Sequence, residues 1–127
     1  MRIYEDKFIY IETHDAKIPW LKIFTNIPYK ELSEVDEPAR GRLFEAAFLI
    51  EREMISYFKP EKINWASFGN MLPRVHMHIQ ARFKDDEFFP EPMWGAKQRD
   101  SDMDLPPMEP FLKALAQKMQ EHFNKDC

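Results

Sequence analysis

The chain has a single cysteine in 127 residues, and it is the last residue, Cys127. No disulfide can close within the chain, which points to a reducing compartment. The first residues, Met1 to Lys7, lack the apolar core of a secretory signal. No apolar run approaches the roughly 20 residues needed to span a bilayer. The expectation is a cytoplasmic protein with no membrane partner. Positive charge is also scarce: 18 Lys and Arg stand against 22 Asp and Glu, for a net charge of −4. This excludes the basic stripe with which a protein grips a nucleic-acid duplex. A local basic or amide-rich pocket for a small phosphorylated ligand remains open. What the chain does have is apolar bulk. It is 44% hydrophobic and 14% aromatic, with 11 Phe and 8 Met. That suffices for one core, and the length suits one domain spanning residues 1–127.

Phe8 to Glu12 is aromatic and β-branched and reads as a strand. Trp20 to Ile27 reads as a second, ended by Pro28, and the two pair antiparallel. A helix is expected from near Asp36, with Pro38 in its first turn. Leu43, Ala47, Ile50, Met54 and Phe58 form its apolar stripe, and Pro60 stops it. Ile63 to Phe68 is a third strand, closed by Gly69 and Asn70. Residues 84 to 110, rich in proline and acidic side chains, read as an extended surface segment. Pro110 opens a final helix, with Leu112, Leu115, Met119 and Phe123 on one face. The order predicts an α+β fold: an antiparallel sheet with one long helix and a C-terminal helix on one face.

The stretch Arg74-Val75-His76-Met77-His78-Ile79-Gln80-Ala81-Arg82-Phe83 carries the chemistry. At period two, Val75, Met77, Ile79 and Ala81 point one way, and His76, His78 and Gln80 point the other. Imidazole titrates near neutral pH and serves as nucleophile, acid, base or metal ligand. The plainer reading is a polar strand face exposed to water. A metal reading also stands, since two histidines at i and i+2 can share one zinc, with His14, Asp15 or Glu12 as a further ligand. Glutamine is a poor zinc ligand, so no metal and no cofactor is expected.

His76-Met77-His78-Ile79-Gln80 resembles the signature of the histidine triad family, in which three histidines alternate with apolar residues. Here glutamine stands at the third position. The β-β-α-β-β order over about residues 4 to 83 is similar to the family core. Phe88 to Gly95 and the last helix resemble the tail of a bacterial subgroup. The resemblance implies a nucleotide hydrolase that attacks the α-phosphate of a nucleotide conjugate, of the dinucleoside polyphosphate type, through a covalent nucleotidyl-histidine. It implies His78 as nucleophile, held by a backbone carbonyl of the same strand region, with His76 in support and Gln80 contacting phosphate. Gln80 can donate a hydrogen bond but delivers no proton, so the leaving group should be a good one. His-x-His-x-Gln also resembles the transferase branch, which includes galactose-1-phosphate uridylyltransferase and dinucleoside polyphosphate phosphorylases. A nucleotidyltransferase, or a nucleotide-binding module without efficient chemistry, is therefore the alternative. The family's phosphate loop is replaced by Met71-Leu72-Pro73-Arg74, and its further upstream histidine is missing from Trp20 to Glu31.

The remaining assignments are simpler. Asn70 is the ligand-contacting amide, with Asn64 as fallback; Asn70 read locally is a turn residue. Arg74 supplies a phosphate-binding cation or is a surface residue. Phe8, Tyr10 and Phe24 offer a slot for the base, and Glu12 accepts from ribose hydroxyls; ordinary sheet packing is the competing account of each. Trp94 caps the pocket, from its own or a partner subunit, or packs on the surface. His14 and His122 read as ordinary residues. The family pairs through its long helix and adjoining edge strand, which implies a homodimer.

Overall fold

The computed structural model describes residues 1–124; Cys127, and the expectation attached to it, lie outside them. Five strands form one antiparallel sheet. They are β1 (Arg2–Glu5), β2 (Ile9–Thr13), β3 (Trp20–Thr25), β4 (Lys62–Ala66) and β5 (His76–Arg82). The spatial order is β1-β2-β3-β5-β4, so β5 is interior, between β3 and the edge strand β4. Two helices, α1 (Ala39–Phe58) and α2 (Met108–Asn124), cover one face of this sheet, with α1 over β5, β3 and β2 and α2 over β1. This is the α+β arrangement expected from the order of elements.

Alternation dictates which residues form the core. Ile9 and Ile11 of β2, Leu21 and Ile23 of β3, and Met77, Ile79 and Ala81 of β5 all turn toward the helices and are buried. Leu43, Ala47, Ile50, Met54 and Phe58, the expected stripe of α1, meet them, and Leu112, Leu115, Met119 and Phe123 of α2 close the layer. Each of these large side chains contributes roughly 1.5–3 kcal/mol by leaving water.

The boundaries differ from expectation where local bonds override pattern. Strand β3 stops at Thr25, not Ile27, because the Thr25 hydroxyl turns to the Ile27 carbonyl at 2.7 Å and the Asn26 N–H pairs with the Phe8 carbonyl. The long helix begins at Ala39 rather than Asp36. The Asp36 carbonyl accepts from the Arg40 N–H at 3.0 Å, and the Glu37 carboxylate takes the Gly41 N–H at 2.6 Å. The helix ends on Lys59 in the left-handed region (φ 52), one residue before Pro60, as a residue before proline avoids the helical basin. β4 covers 62–66 rather than 63–68, and α2 begins two residues before Pro110, which sits in its first turn. Strand β1 is an addition to the expected elements; its Tyr4 is buried beside Phe123 of α2.

The segment between β5 and α2 holds neither helix nor strand, as expected, but it is not simply a surface strap. Asp86, 1% exposed, is buried within it and grips Arg82 through two bonds of 3.0 Å. The same carboxylate accepts backbone N–H groups from Phe83, Phe88 and Phe89. Arg82 completes its fork on the Asn64 amide oxygen and the Glu91 carbonyl.

Candidate functional site

The face of the sheet away from the helices carries the polar row of β5. Strand pairing aligns it into three cross-strand rows. Tyr10, Phe24 and His76 form the first, Glu12, Lys22 and His78 the second, and Trp20, Gln80 and Asn64 the third. In the first row the rings stack: Tyr10 on Phe24 at 4.8 Å and 8°, Phe24 on His76 at 5.0 Å and 17°. The histidine rings lie 4.9 Å apart. A water-exposed polar face does not describe this arrangement, since His76, His78 and Gln80 are all buried. Trp20 from β3 and Trp94 from the segment tied down by Asp86 cover His78, with ring centroids at 5.6 and 5.0 Å.

A cleft of about 410 Å³ opens beside the two histidines, walled by Phe68, Asn70, Leu72 and Trp94. Gly69 turns the chain there with φ +74, a conformation that favours glycine. Asn70 is exposed on the cleft wall. Asn64 is engaged by Arg82 at 2.9 Å instead. Arg74 binds the Thr25 carbonyl and sets its guanidinium 5.6 Å from the Phe24 ring and 5.9 Å from Tyr10. Its Nε is buried without a partner among the described residues, as is the amide nitrogen of Gln80. Tyr10, Phe24 and Arg74 thus come together beside His76, with Glu12 one row on. Phe8 does not join them: it packs on the core side under Arg42 of α1, whose guanidinium lies 5.0 Å from its ring.

The two histidines make different hydrogen bonds from those expected. His78 Nδ1 lies 2.9 Å from Trp20 Nε1. An indole N–H can only donate, so this nitrogen of His78 accepts and the ring proton sits on Nε2. No strand carbonyl holds it. His76 Nδ1 lies 2.9 Å from the Arg74 carbonyl. A carbonyl can only accept, so His76 carries its proton there and keeps a lone pair on Nε2. Both tautomers follow from partners whose roles are fixed. The arrangement expected of His78 is therefore found at His76, two residues earlier.

Burial pushes the His78 pKa down to about 4, with the neighbouring His76, His14 and Lys22 acting in the same direction. His14 is not an ordinary loop residue either. Its ring stacks on Trp20 at 4.0 Å, and burial lowers its pKa. A sequence signal existed, since His14 and Trp20 stand at the two ends of the loop that joins β2 to β3, but nothing in the sequence aims the indole at His78. His122 sits on α2 against Phe123. Among the described residues no group of three or more His, Cys, Asp or Glu is placed to hold a metal ion, so His14, Asp15 and Glu12 do not assemble a zinc site with the pair. No helix among them is long and apolar enough to cross a membrane.

The sheet order, the helix across its back and the alternating histidines on the interior strand β5 define a histidine triad fold. The HIT domain model matches residues 2–85, which is most of the chain, and the chain belongs to that family. Among solved structures, a histidine triad protein from Bradyrhizobium japonicum is 27% identical, with a TM-score of 0.76 over 94% of this chain and 90% of that one. One from Marinobacter aquaeolei shares 23% identity and a TM-score of 0.74, covering 96% of this chain and 89% of its own. A third, from Sinorhizobium meliloti, shares 24% and 0.70 over 95% and 87%. The latter two show the fold alone. No curated protein matches the chain. Membership of the family supports a nucleotide-binding function of the HIT type.

Proposed function

We propose that the protein hydrolyses a nucleotide conjugate at its α-phosphate through a covalent nucleotidyl-histidine, and that His76 is the nucleophile. One observation carries this: His76 Nδ1–H is held by the Arg74 carbonyl, which leaves the Nε2 lone pair free to attack. In the first step the Nε2–P bond forms and the P–O bond to the leaving group breaks, its electron pair departing on that oxygen. In the second, water forms a new O–P bond, the N–P pair returns to Nε2, and the water proton passes to solvent. Arg74 and Asn70 supply donors for the phosphate oxygens, while Gln80 stands two rows along β5 from His76, beyond their reach. Phe24 is sandwiched between Tyr10 and His76 and braces the nucleophile, so the base lies along the edges of these rings, and Glu12 faces the ribose. A dinucleoside polyphosphate fits, since its leaving group is itself a nucleotide. Transfer to a second substrate instead of water is the alternative outcome of the same intermediate.

The test is mononucleotide release from diadenosine tetraphosphate, together with mass spectrometry of the trapped adduct. His76→Ala should lower turnover by roughly a hundredfold or more and abolish the adduct. His78→Ala should leave an adduct on the chain. An adduct mapped to His78 would sink the assignment.

The protein is further proposed to act as a homodimer. Phe44, Phe48 and Ile55 are exposed on α1. Trp65 of the edge strand β4 lies against both phenylalanines, at 6.5 and 4.9 Å. An unpaired edge beside exposed aromatics suits a second copy.

A further inference from the structure

We infer that Trp20 is a positioning residue: its indole N–H fixes His78 as a neutral imidazole protonated on Nε2, and thereby restricts the site to conjugates whose leaving group departs as a stable anion. The second clause rests on the His76 reading above; the first stands on geometry alone.

The indole cannot swing away. It is buried, stacked on one side by His14 at 4.0 Å and met at its edge by Trp94 at 5.3 Å. Its backbone is fixed as well, with the Trp20 carbonyl taking the His14 N–H at 2.9 Å. The N–H therefore stays aimed at His78 Nδ1. A second proton on that nitrogen would set two donors against each other at 2.9 Å with no acceptor between them. The groups facing His78 act the same way. They are His76 on its own strand, Lys22 across on β3 and His14 behind the indole, all of which oppose a positive charge. Glu12 is the carboxylate of that row, but Lys22 stands between it and His78.

The chemical consequence is a division between donating a hydrogen bond and donating a proton. Neutral His78 can offer Nε2–H to a phosphoryl oxygen. It cannot surrender that proton without becoming an imidazolate. When the P–O bond breaks, the departing oxygen therefore leaves with its electron pair and no proton from His78. A phosphate or nucleotide oxygen bears that charge. An amine or an alkoxide does not.

The experiment is nitrogen-15 NMR of the His78 ring in the full chain, with Trp20→Phe as the variant that keeps a ring and loses the donor. His78 in the unaltered protein should be protonated on Nε2 and bare on Nδ1 from about pH 8 to about pH 5. In Trp20→Phe the Nδ1–H form should appear, and the ring should bind protons about tenfold more tightly, roughly the worth of one hydrogen bond. Nδ1–H in the unaltered protein overturns the assignment, as does an unchanged ring in a folded Trp20→Phe. Neither readout needs turnover. In a second arm, the p-nitrophenyl ester of adenosine 5′-phosphate should be cleaved and adenosine 5′-phosphoramidate should not. Comparable cleavage of both overturns the leaving-group restriction. Cleavage of neither overturns the nucleotide reading and the restriction built on it, while the tautomer is judged by NMR alone.

Discussion

Removing the carboxylate of Asp86 should be among the most costly single changes on the surface-facing side of this sheet. Asp86 and Arg82 are each 1% exposed, and the pair is bidentate, with both bonds at 3.0 Å. Asp86→Ala leaves a guanidinium buried without its counter-charge. Breaking a buried pair in this way costs about 3–5 kcal/mol. Three backbone N–H groups, from Phe83, Phe88 and Phe89, lose their acceptor as well, and once the carboxylate is gone these part-buried donors turn to water, which offsets much of that loss. We therefore expect about 4 kcal/mol in total, against a stability of about 5–15 kcal/mol for a domain of this kind. Urea denaturation should show the midpoint falling by about 2 M, given a slope of roughly 1–3 kcal/mol per molar. Replacing both partners (Arg82→Met with Asp86→Leu) should restore at least half of the loss, because no buried charge remains. A single-variant loss below about 1 kcal/mol, the range of exposed pairs, would refute the reasoning.

Two further outcomes are expected. His78 is held well below its usual pKa by burial first and by His76, His14 and Lys22 next, reaching about 4 against an ordinary 6.5. The unfolded chain therefore takes up a proton below pH 6.5 that the folded chain refuses. This contribution to stability is fully present above that pH and is lost as pH falls toward the folded value. Urea midpoints measured above and below that window should drop less for His78→Gln than for the unaltered chain; parallel drops would show that His78 is not responsible. Phe48→Lys, 48% exposed on α1, should halve the mass seen by light scattering while lowering the stability of the monomer by no more than about 1.5 kcal/mol, the worth of its contact with Trp65. An unaltered mass at micromolar concentration would place the contact elsewhere.

The sequence carried the fold well and the division of labour within the site poorly, for physical reasons. Period-two alternation in β5 and the stripe of α1 each follow from a single local geometry, and both faces are populated as the pattern requires. The strand Arg2 to Glu5 leaves no clear pattern, because it is four residues long, interrupted by a register shift, and has only Tyr4 fully inside. The histidines were visible, but not which one holds the free lone pair. That depends on an indole 58 residues away from His78 and on a carbonyl two residues before His76. Asp86 was lost among the acidic residues from 84 to 110. Composition could not tell the one carboxylate facing inward from its solvated neighbours.

The placement of the three tryptophans has an optical consequence. Trp20 and Trp94 touch His78, while Trp65 lies against Phe44 and Phe48 at the edge strand. Indole emission follows the polarity and contacts of its surroundings, so the chain carries two built-in reporters on opposite faces. With Trp65 replaced by Phe, the remaining signal comes only from the histidine cleft and can time the arrival and departure of a ligand. With Trp20 and Trp94 replaced instead, the same wavelength tests whether two chains associate at the proposed edge.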